Sequence, residues 1–119
     1  MLLTQQDIYI RAGSTETFTV TVTDANGAAV DCTGAELRMQ IRDGATGALL
    51  ASAGCAWTNA AGGIGVAVFD ATSTGAITYA GTVISDFERH AYAVEVAFAT
   101  GEVETVAAGF AFVQPEGVK

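Results

Sequence analysis

Apolar and polar residues alternate with a period of two along four stretches of this chain. The first stretch is ETFTVTVT, residues 16–23, and the second is ELRMQIRD, residues 36–43. The third runs through Ile64, Val66 and Val68, and the fourth is YAVEVAF, residues 92–98. Side chains alternate between the two faces of a strand, so this pattern predicts strands with one buried face.

A helix is the rival interpretation for residues 35 to 42. Leu, Met, Gln, Glu and Arg all have high helix propensity, and this segment is rich in them. Strict alternation of Leu37, Met39 and Ile41 with polar residues argues for a strand instead, as do the glycines on both sides. We therefore favour a strand here.

The segments between these strands are less regular. Leu49–Ala53 is predicted to form a short strand, whereas residues 54–63 are predicted to form a loop with Trp57 as its single large apolar residue. Gly65 inside a strand indicates a bulge or a close backbone neighbour. We further expect one helical turn at Asp70–Gly75 capped by Asp70, a weak strand at Thr78–Ile84 and a turn at Ser85–Glu88.

A closing hairpin is predicted to pair Arg89–Phe98 with Val103–Val113 across a Thr-Gly turn. The second strand changes phase, because Phe110 and Phe112 do not share the parity of Val103. A bulge near residues 107–109 would bring the phenylalanines onto the buried face. It would also allow Glu95, Glu102 and Glu104 to lie outward or at the rim.

These elements predict an all-β protein with an antiparallel β-sandwich, Ig-like or jelly-roll-like. We expect seven or eight short strands and at most one helical turn. The chain has 119 residues, enough for one domain; we divide it into an N-terminal arm (1–7), the sandwich (8–113) and a C-terminal tail (114–119). The predicted core comprises Phe18, Leu37, Met39, Ile41, Trp57, Phe69, Tyr92, Phe98, Phe110 and Phe112.

Charge narrows the range of partners. The net charge is −8, and the only basic residues are Arg11, Arg38, Arg42, Arg89 and Lys119. Nucleic-acid binding and binding to anionic membranes both depend on clustered basic residues, so we expect neither. The N-terminus has no apolar signal segment, and we expect synthesis in a cytosol. We expect Cys32 and Cys55 to be reduced, buried thiols, with a disulfide between them as the alternative.

The candidate catalytic and metal-binding groups all have simpler interpretations. His90 is the sole histidine; without a serine in a nucleophile motif, it is better explained as a surface or strand-start residue. The sequence from Asp24 to Gly27 resembles the start of a calcium loop but lacks the later acidic ligands, so we interpret it as a turn. The glycines at 62, 63 and 65 have no adjacent lysine for phosphate. We predict no catalytic residue, no metal and no cofactor.

Four aromatic residues fall in segments that the pattern does not assign to the core. We propose them as candidate partner contacts: Tyr9, Trp57, Tyr79 and Phe87.

Three stretches together resemble a group of small tailed-bacteriophage virion proteins. They are FTVTVTDANGAAVDCTGAELRMQIRD, GGIGVAVFDATSTGAI and YAVEVAFATGEVETVAAGFAFVQPEGV. In order, they resemble a strand, a D-G-x-x-x-D-L-T-G link, an R-x-Q-I-R strand and a closing hairpin. The ending is also similar to that of the N-terminal β-sandwich domain of phage baseplate upper proteins. Cys32 stands where the pattern usually has leucine.

The resemblance implies a non-enzymatic structural component of a bacteriophage virion. Most simply, this would be a capsid decoration or cement protein, present as a homo-oligomer or in many copies and contacting the major capsid protein. The alternative is a tail-tip, baseplate or fibre-adaptor protein contacting other tail proteins. A further alternative is a carbohydrate-binding module, with Trp57, Tyr79 and Tyr92 as stacking residues. Localisation would be the virion, after synthesis in the bacterial cytoplasm.

Overall fold

The computed structural model describes residues 4–43, 46–77 and 88–114. Within these ranges the chain forms nine strands, one 3-10 turn and one five-residue helix. The strands are β1 (Thr4–Gln5), β2 (Ile8–Arg11), β3 (Glu16–Thr21), β4 (Glu36–Arg42), β5 (Leu49–Ser52), β6 (Gly54–Asn59), β7 (Ile64–Phe69), β8 (Glu88–Ala97) and β9 (Val103–Gln114). The 3-10 turn is Ala60–Gly62 and the helix, α1, is Ala71–Gly75.

The strands form two sheets that pack as a β-sandwich, which confirms the predicted fold class. The larger sheet has the order β1-β9-β8-β4-β5, with β2 also paired to β9. The smaller sheet has the order β3-β7-β6. β1 and β2 both pair with β9, so they form one interrupted edge strand. Counted in this way, the sandwich has eight strands.

The N-terminal edge strand is parallel to β9, unlike the other pairs in either sheet. Thr4 and Gln5 of the predicted arm pair with Ala107 and Ala108. Between β1 and β2 the chain is held by the Tyr92 hydroxyl, which donates a hydrogen bond to the Gln6 carbonyl. Part of the arm therefore belongs to the larger sheet.

The core lies between the inner faces of the two sheets. Leu37, Met39, Ile41 and Tyr92 from the larger sheet are buried, as is Phe69 from the smaller one. Three further members of the predicted core, Phe18, Trp57 and Phe98, are partly buried against this cluster.

Phe110 and Phe112 are exceptions, and their assignment to the core was wrong. Phe110 is 45% exposed, and both residues lie on the outer face of the larger sheet, since Ala111 and Val113 alternate with them and are fully buried. The parallel edge strand explains why the inward-facing residues of β9, Ala111 and Val113, are small. Ile8 and Ile10 lie opposite Ala111 and Val113 and fill the same layer.

The predicted bulge in the last strand is present, one residue before the expected range. The register between β8 and β9 shifts between Val94 and Glu95, which leaves Val106 as the extra residue. Val106 is 3% exposed. Glu104 lies opposite the buried Val96, at a half-buried position on the inner side, while Glu95 lies on the outer side and Glu102 is exposed.

Other local predictions have mixed outcomes. Residues 36–42 form a strand and not a helix, and Asp70 caps α1 by accepting a hydrogen bond from Ser73 N at 2.7 Å. The loop predicted for residues 54–63 was wrong, because Gly54–Asn59 forms β6 and pairs with β7. Alanine, glycine and threonine give this strand no clear alternation. The weak strand predicted at Thr78–Ile84 and the first three residues of the turn predicted at Ser85–Glu88 lie outside the described residues, while Glu88 belongs to β8 and not to a turn.

Trp57 and Gly65 form a close contact between β6 and β7. A Cβ added at Gly65 would lie 3.0 Å from Trp57 Cε3 and 2.8 Å from Leu37 Cδ2. The indole Nε1 of Trp57 donates to the Ala35 carbonyl at 2.8 Å. This confirms the close neighbour predicted at Gly65 and fixes Trp57 at the sandwich edge.

Candidate docking surface

The outer face of the larger sheet carries a regular grid of side chains set by the strand register. One row joins Tyr9, Phe112 and Arg89 across β2, β9 and β8. The next row joins Phe110, Ala91 and Arg42 across β9, β8 and β4. Further rows contain Ala108, Ala93 and Gln40, and then Thr105, Glu95 and Arg38.

Arginines are concentrated on this face. The alternation along β2, β4 and β8 places Arg11, Arg38, Arg42 and Arg89 outward, which is every basic residue of the chain except Lys119. Lys119 lies beyond the described residues. The outer face of the smaller sheet differs sharply, since Thr17, Thr19 and Thr21 lie opposite Val68, Val66 and Ile64. We call the larger sheet's outer surface the arginine–aromatic face, comprising Tyr9, Arg11, Arg38, Arg42, Arg89, Phe110 and Phe112.

The aromatic side chains on this face contact one another. Tyr9 and Phe112 are stacked, with ring centroids 5.3 Å apart and an interplanar angle of 19°. Phe110 lies 6.2 Å from Phe112 in a tilted arrangement. The guanidinium carbon of Arg89 is 4.7 Å from the Phe110 ring centroid, within the range of a cation–π interaction. Tyr9 is nevertheless 61% exposed, so this cluster forms a surface and not a core.

Neutral groups hold three of the four arginines. Arg42 donates to Gln40 Oε1 at 3.0 Å and to the Gly47 carbonyl at 3.2 Å. Arg11 donates to Gln114 Oε1 at 3.0 Å, and Arg89 lies over Phe110. Arg38 instead lies near a carboxylate, with its Nε 3.7 Å from Glu36 Oε2.

Two depressions interrupt the face, and the larger one, about 400 Å³, lies on its β2 side beside Gln6, Asp7, Ala108, Gly109 and Phe110. The smaller depression, about 140 Å³, lies over Ala91 and Ala93, with Gln40 and Arg42 at one end and the cross-strand pair Arg38 and Glu95 at the other. Small-molecule sites typically enclose roughly 300–1,000 Å³. The smaller depression is below this range, so it suits one small protruding group of a macromolecular surface.

The residues considered for chemistry are dispersed. His90 is 3% exposed at the start of β8, so a surface position was wrong while a strand-start position was right. Asp24 Oδ1 accepts hydrogen bonds from the Asn26 and Ala28 amides, as expected of a turn. Within residues 4–43, 46–77 and 88–114, no group of three or more histidine, cysteine or acidic side chains could hold a metal ion.

The two cysteines are free thiols. Cys32 is fully buried and Cys55 is half-buried, so the prediction of two buried thiols is right for Cys32 alone. Burial raises the pKa of both thiols, and Asp31 further raises that of Cys32. Both therefore stay protonated and weakly nucleophilic near neutral pH.

The two candidate partner contacts that the structure describes lie apart. Tyr9 lies on the arginine–aromatic face, whereas Trp57 lies at the β6 edge; Tyr79 and Phe87 are outside the described residues. Tyr92 is 6% exposed, so it cannot stack on a sugar. Sequence reasoning missed Phe110, Phe112, Arg42 and Arg89. The outward parity of Arg38, Gln40 and Arg42 in β4 was the available signal.

No helix in the described part of the chain is long and apolar enough to span a membrane.

Comparison with known proteins finds no matching protein-family model and no matching curated protein. Among solved structures, CopC from Methylosinus trichosporium OB3b is 13% identical over 95% of this chain and 88% of its own, with a TM-score of 0.47. A structure from work on multimeric cell-adhesive interactions of VGSC beta subunits is 11% identical over 93% of this chain and 91% of its own, with a TM-score of 0.43. Neither similarity carries an argument about what this chain does.

Proposed function

We propose that this chain is a non-enzymatic structural subunit of a tailed-bacteriophage particle, docking in multiple copies on the capsid as a decoration or cement protein. The observation that carries the docking role is the arginine–aromatic face. The virion placement depends on the sequence resemblance described above.

The composition of the face supports a protein-binding role. Tyrosine, phenylalanine and arginine are enriched in the buried centres of protein–protein interfaces, and a few such residues supply most of the binding energy. Here they stand on four strands of one sheet, which holds them in place with little loss of conformational freedom. The molecule measures 44 × 24 × 23 Å, so its broad side can accommodate the ~800 Å² per partner of a standard interface.

A particle built of repeated subunits would suit such a module. A symmetric shell or tail presents the same site many times, and a subunit bridging two neighbours gains from simultaneous engagement. A modest interface could therefore hold this subunit on a capsid. The alternative placement on a tail tip or baseplate uses the same physics with fewer copies.

Quantitative mass spectrometry of purified particles from the phage that encodes this chain tests the proposal. We expect hundreds of copies per particle for a capsid decoration protein and roughly six to eighteen for a tail component, following the multiplicities of symmetric assemblies. Absence of the chain from intact particles would overturn the virion proposal.

Rebinding of purified protein to particles lacking it tests the docking face separately. We expect Phe110→Ala with Tyr9→Ala to abolish rebinding, because these substitutions remove the exposed aromatic surface. Thr19→Ala, on the outer face of the smaller sheet, is the matched control and should rebind normally. Equal rebinding of both variants would place the interface elsewhere.

A further inference from the structure

We propose that the partner of the arginine–aromatic face is a protein surface presenting carboxylates next to apolar side chains, with one carboxylate entering the depression beside Arg42. This inference deepens the docking role proposed above, but its chemistry does not depend on the partner being a virion protein.

The charge distribution carries the inference. The whole chain has a net charge of −8, yet its outward strand residues on this face include four arginines against two carboxylates, Glu36 and Glu95. Charge complementarity across an interface favours opposite signs and suppresses wrong partners. A local excess of positive charge on an acidic molecule therefore selects an acidic partner.

The positive charge is strongest at one end of the face. Arg38 lies between Glu36, 3.7 Å from its Nε, and Glu95, which is its direct cross-strand neighbour. Arg42 and Arg89 are held by amide, carbonyl and aromatic groups, which orient a guanidinium without neutralising it. They consequently retain charge and donors for an incoming carboxylate, and arginine binds carboxylates with two parallel hydrogen bonds.

Acidic groups at the rim define the limits of this positive region. Asp7 Oδ1 accepts a hydrogen bond from the Phe110 amide at 3.2 Å, and Glu16 Oε1 accepts one from the Arg11 amide at 3.3 Å. Both carboxylates lie on the β2 side of the face. The region from Arg89 on β8 to Arg42 on β4, two and three strands from β2, is therefore where a partner carboxylate is best received.

The shape of the face favours a protein over an anionic glycan. A depression of about 400 Å³ lies on the β2 side of the face, where the Asp7 carboxylate disfavours an anionic glycan, and a smaller one of about 140 Å³ lies beside Arg42. A single aspartate or glutamate side chain fits such a space. The neighbouring Phe110 and Phe112 rings then offer apolar area to the residues flanking it.

NMR titration of the isotope-labelled full chain tests this proposal, since 12.1 kDa is a favourable size. The probes are the blocked peptide Phe-Glu-Leu-Glu-Phe, its lysine counterpart Phe-Lys-Leu-Lys-Phe, and sialyllactose as an anionic glycan. Net charge alone would favour the lysine peptide. We expect the glutamate peptide instead to shift amide signals around Arg42, Arg89 and Phe110, and increasing salt to weaken it.

Arginine variants make the test specific. We expect Arg42→Gln and Arg89→Gln each to weaken the glutamate peptide about two- to fivefold, the range for exposed ion pairs. Arg38→Gln is the matched control on the same face, and its effect should be smaller because Glu36 and Glu95 already offset its charge. Arg42→Lys should retain part of the affinity, since it keeps the charge but loses the paired donors.

Three outcomes would overturn the inference: no shift with the glutamate peptide at millimolar concentration, stronger binding of the lysine peptide at this face, or binding of sialyllactose alone. The last would assign the face to glycans. None of these depends on the particle measurements, so failure of the partner chemistry and failure of the virion placement are distinguishable.

Discussion

Single residues at the N-terminal edge show how closely the chain is fitted there. A Cβ added at Gly109 would overlap the Gln6 carbonyl oxygen and lie 3.2 Å from the Tyr92 ring. Gly109 therefore lets the segment between β1 and β2 pass close beside β9, where the Gln6 carbonyl accepts a hydrogen bond from the Tyr92 hydroxyl. Nothing in the sequence around Gly109 indicates this contact, because its partner is about a hundred residues away and pairs in parallel.

We expect Gly109→Ala to destabilise the fold by about 1–3 kcal/mol, the usual cost of overpacking. Chemical denaturation measures the loss, and hydrogen exchange should locate it in residues 4–10. Gly54→Ala is the matched control, since its Cβ would meet only the Val68 carbonyl at 3.9 Å. Equal stability of the two variants would show that the edge strand is not held at Gly109.

The thiols should differ in accessibility. Cys32 is fully buried and Cys55 is half-buried, so reagents should reach Cys32 only after local opening of the structure. We expect Cys55→Ala, which retains Cys32, to react with a disulfide reagent about tenfold or more slowly than Cys32→Ala, which retains Cys55. Both variants should react equally fast in denaturant. Equal rates under native conditions would contradict the burial of Cys32.

At the scale of elements, the last strand shows what alternation can and cannot predict. The change of parity between Val103 and Phe110 was visible in the sequence and correctly indicated a bulge. Which of the two alternating sets of side chains in β9 faces inward was not visible in the sequence, because it depends on how the partner strands fill the core. The large aromatic residues suggested the wrong set. In the structure the inward set is Ala111 and Val113, and Ile8 and Ile10 lie opposite them and fill the core layer.

Alanine substitution tests directly which alternating residues of β9 are buried. We expect Phe110→Ala to lower the free energy of unfolding by about 1 kcal/mol or less, chiefly because the exposed cation–π contact with Arg89 is lost. Phe69→Ala should lower the free energy of unfolding by about 3–5 kcal/mol, because that ring is fully buried and its loss leaves a cavity. Chemical denaturation of both variants is the measurement. A loss of stability in Phe110→Ala similar to that in Phe69→Ala would show that Phe110 is a core residue.

At the scale of the whole molecule, the sandwich was predictable, but the docking surface was not. Period-two patterns determine which side chains share a strand face, and this sufficed for the fold class and for the inner faces of β3, β4 and β8. In β7 the buried face is the opposite one, because Ala67 and Phe69 are fully buried while Ile64, Val66 and Val68 lie half-buried on the outer side. The arginine–aromatic face needs the pairing of β4, β8, β9 and β2 in one sheet, with a common register. Arg42 and Arg89 are 47 positions apart along the chain, so strand order alone makes them neighbours on one surface.

The pH dependence of stability also belongs to the whole molecule, because groups at opposite ends of the titration range contribute. Hydrogen bonds from Thr33 and Ser73 lower the pKa values of Asp31 and Asp70 below their ordinary value of 3.8. Their contribution is present above pH ~4 and lost as the pH falls through the lowered values. Burial raises the pKa values of Cys32 and Tyr92 above 9.0 and 10.0. The stability that these two groups contribute is therefore present below pH ~9 and is lost as the pH rises.

We therefore expect thermal unfolding temperatures to form a plateau between pH ~5 and ~8.5, falling on both sides. Asp70→Asn should flatten the acid side, because asparagine still caps α1 but does not titrate there. Cys32→Ala should flatten the alkaline side while lowering the plateau, since it also removes buried volume. An acid limb unchanged in Asp70→Asn would mean that the Asp70 cap does not couple folding to protonation, and the acid loss would then come from the other carboxylates.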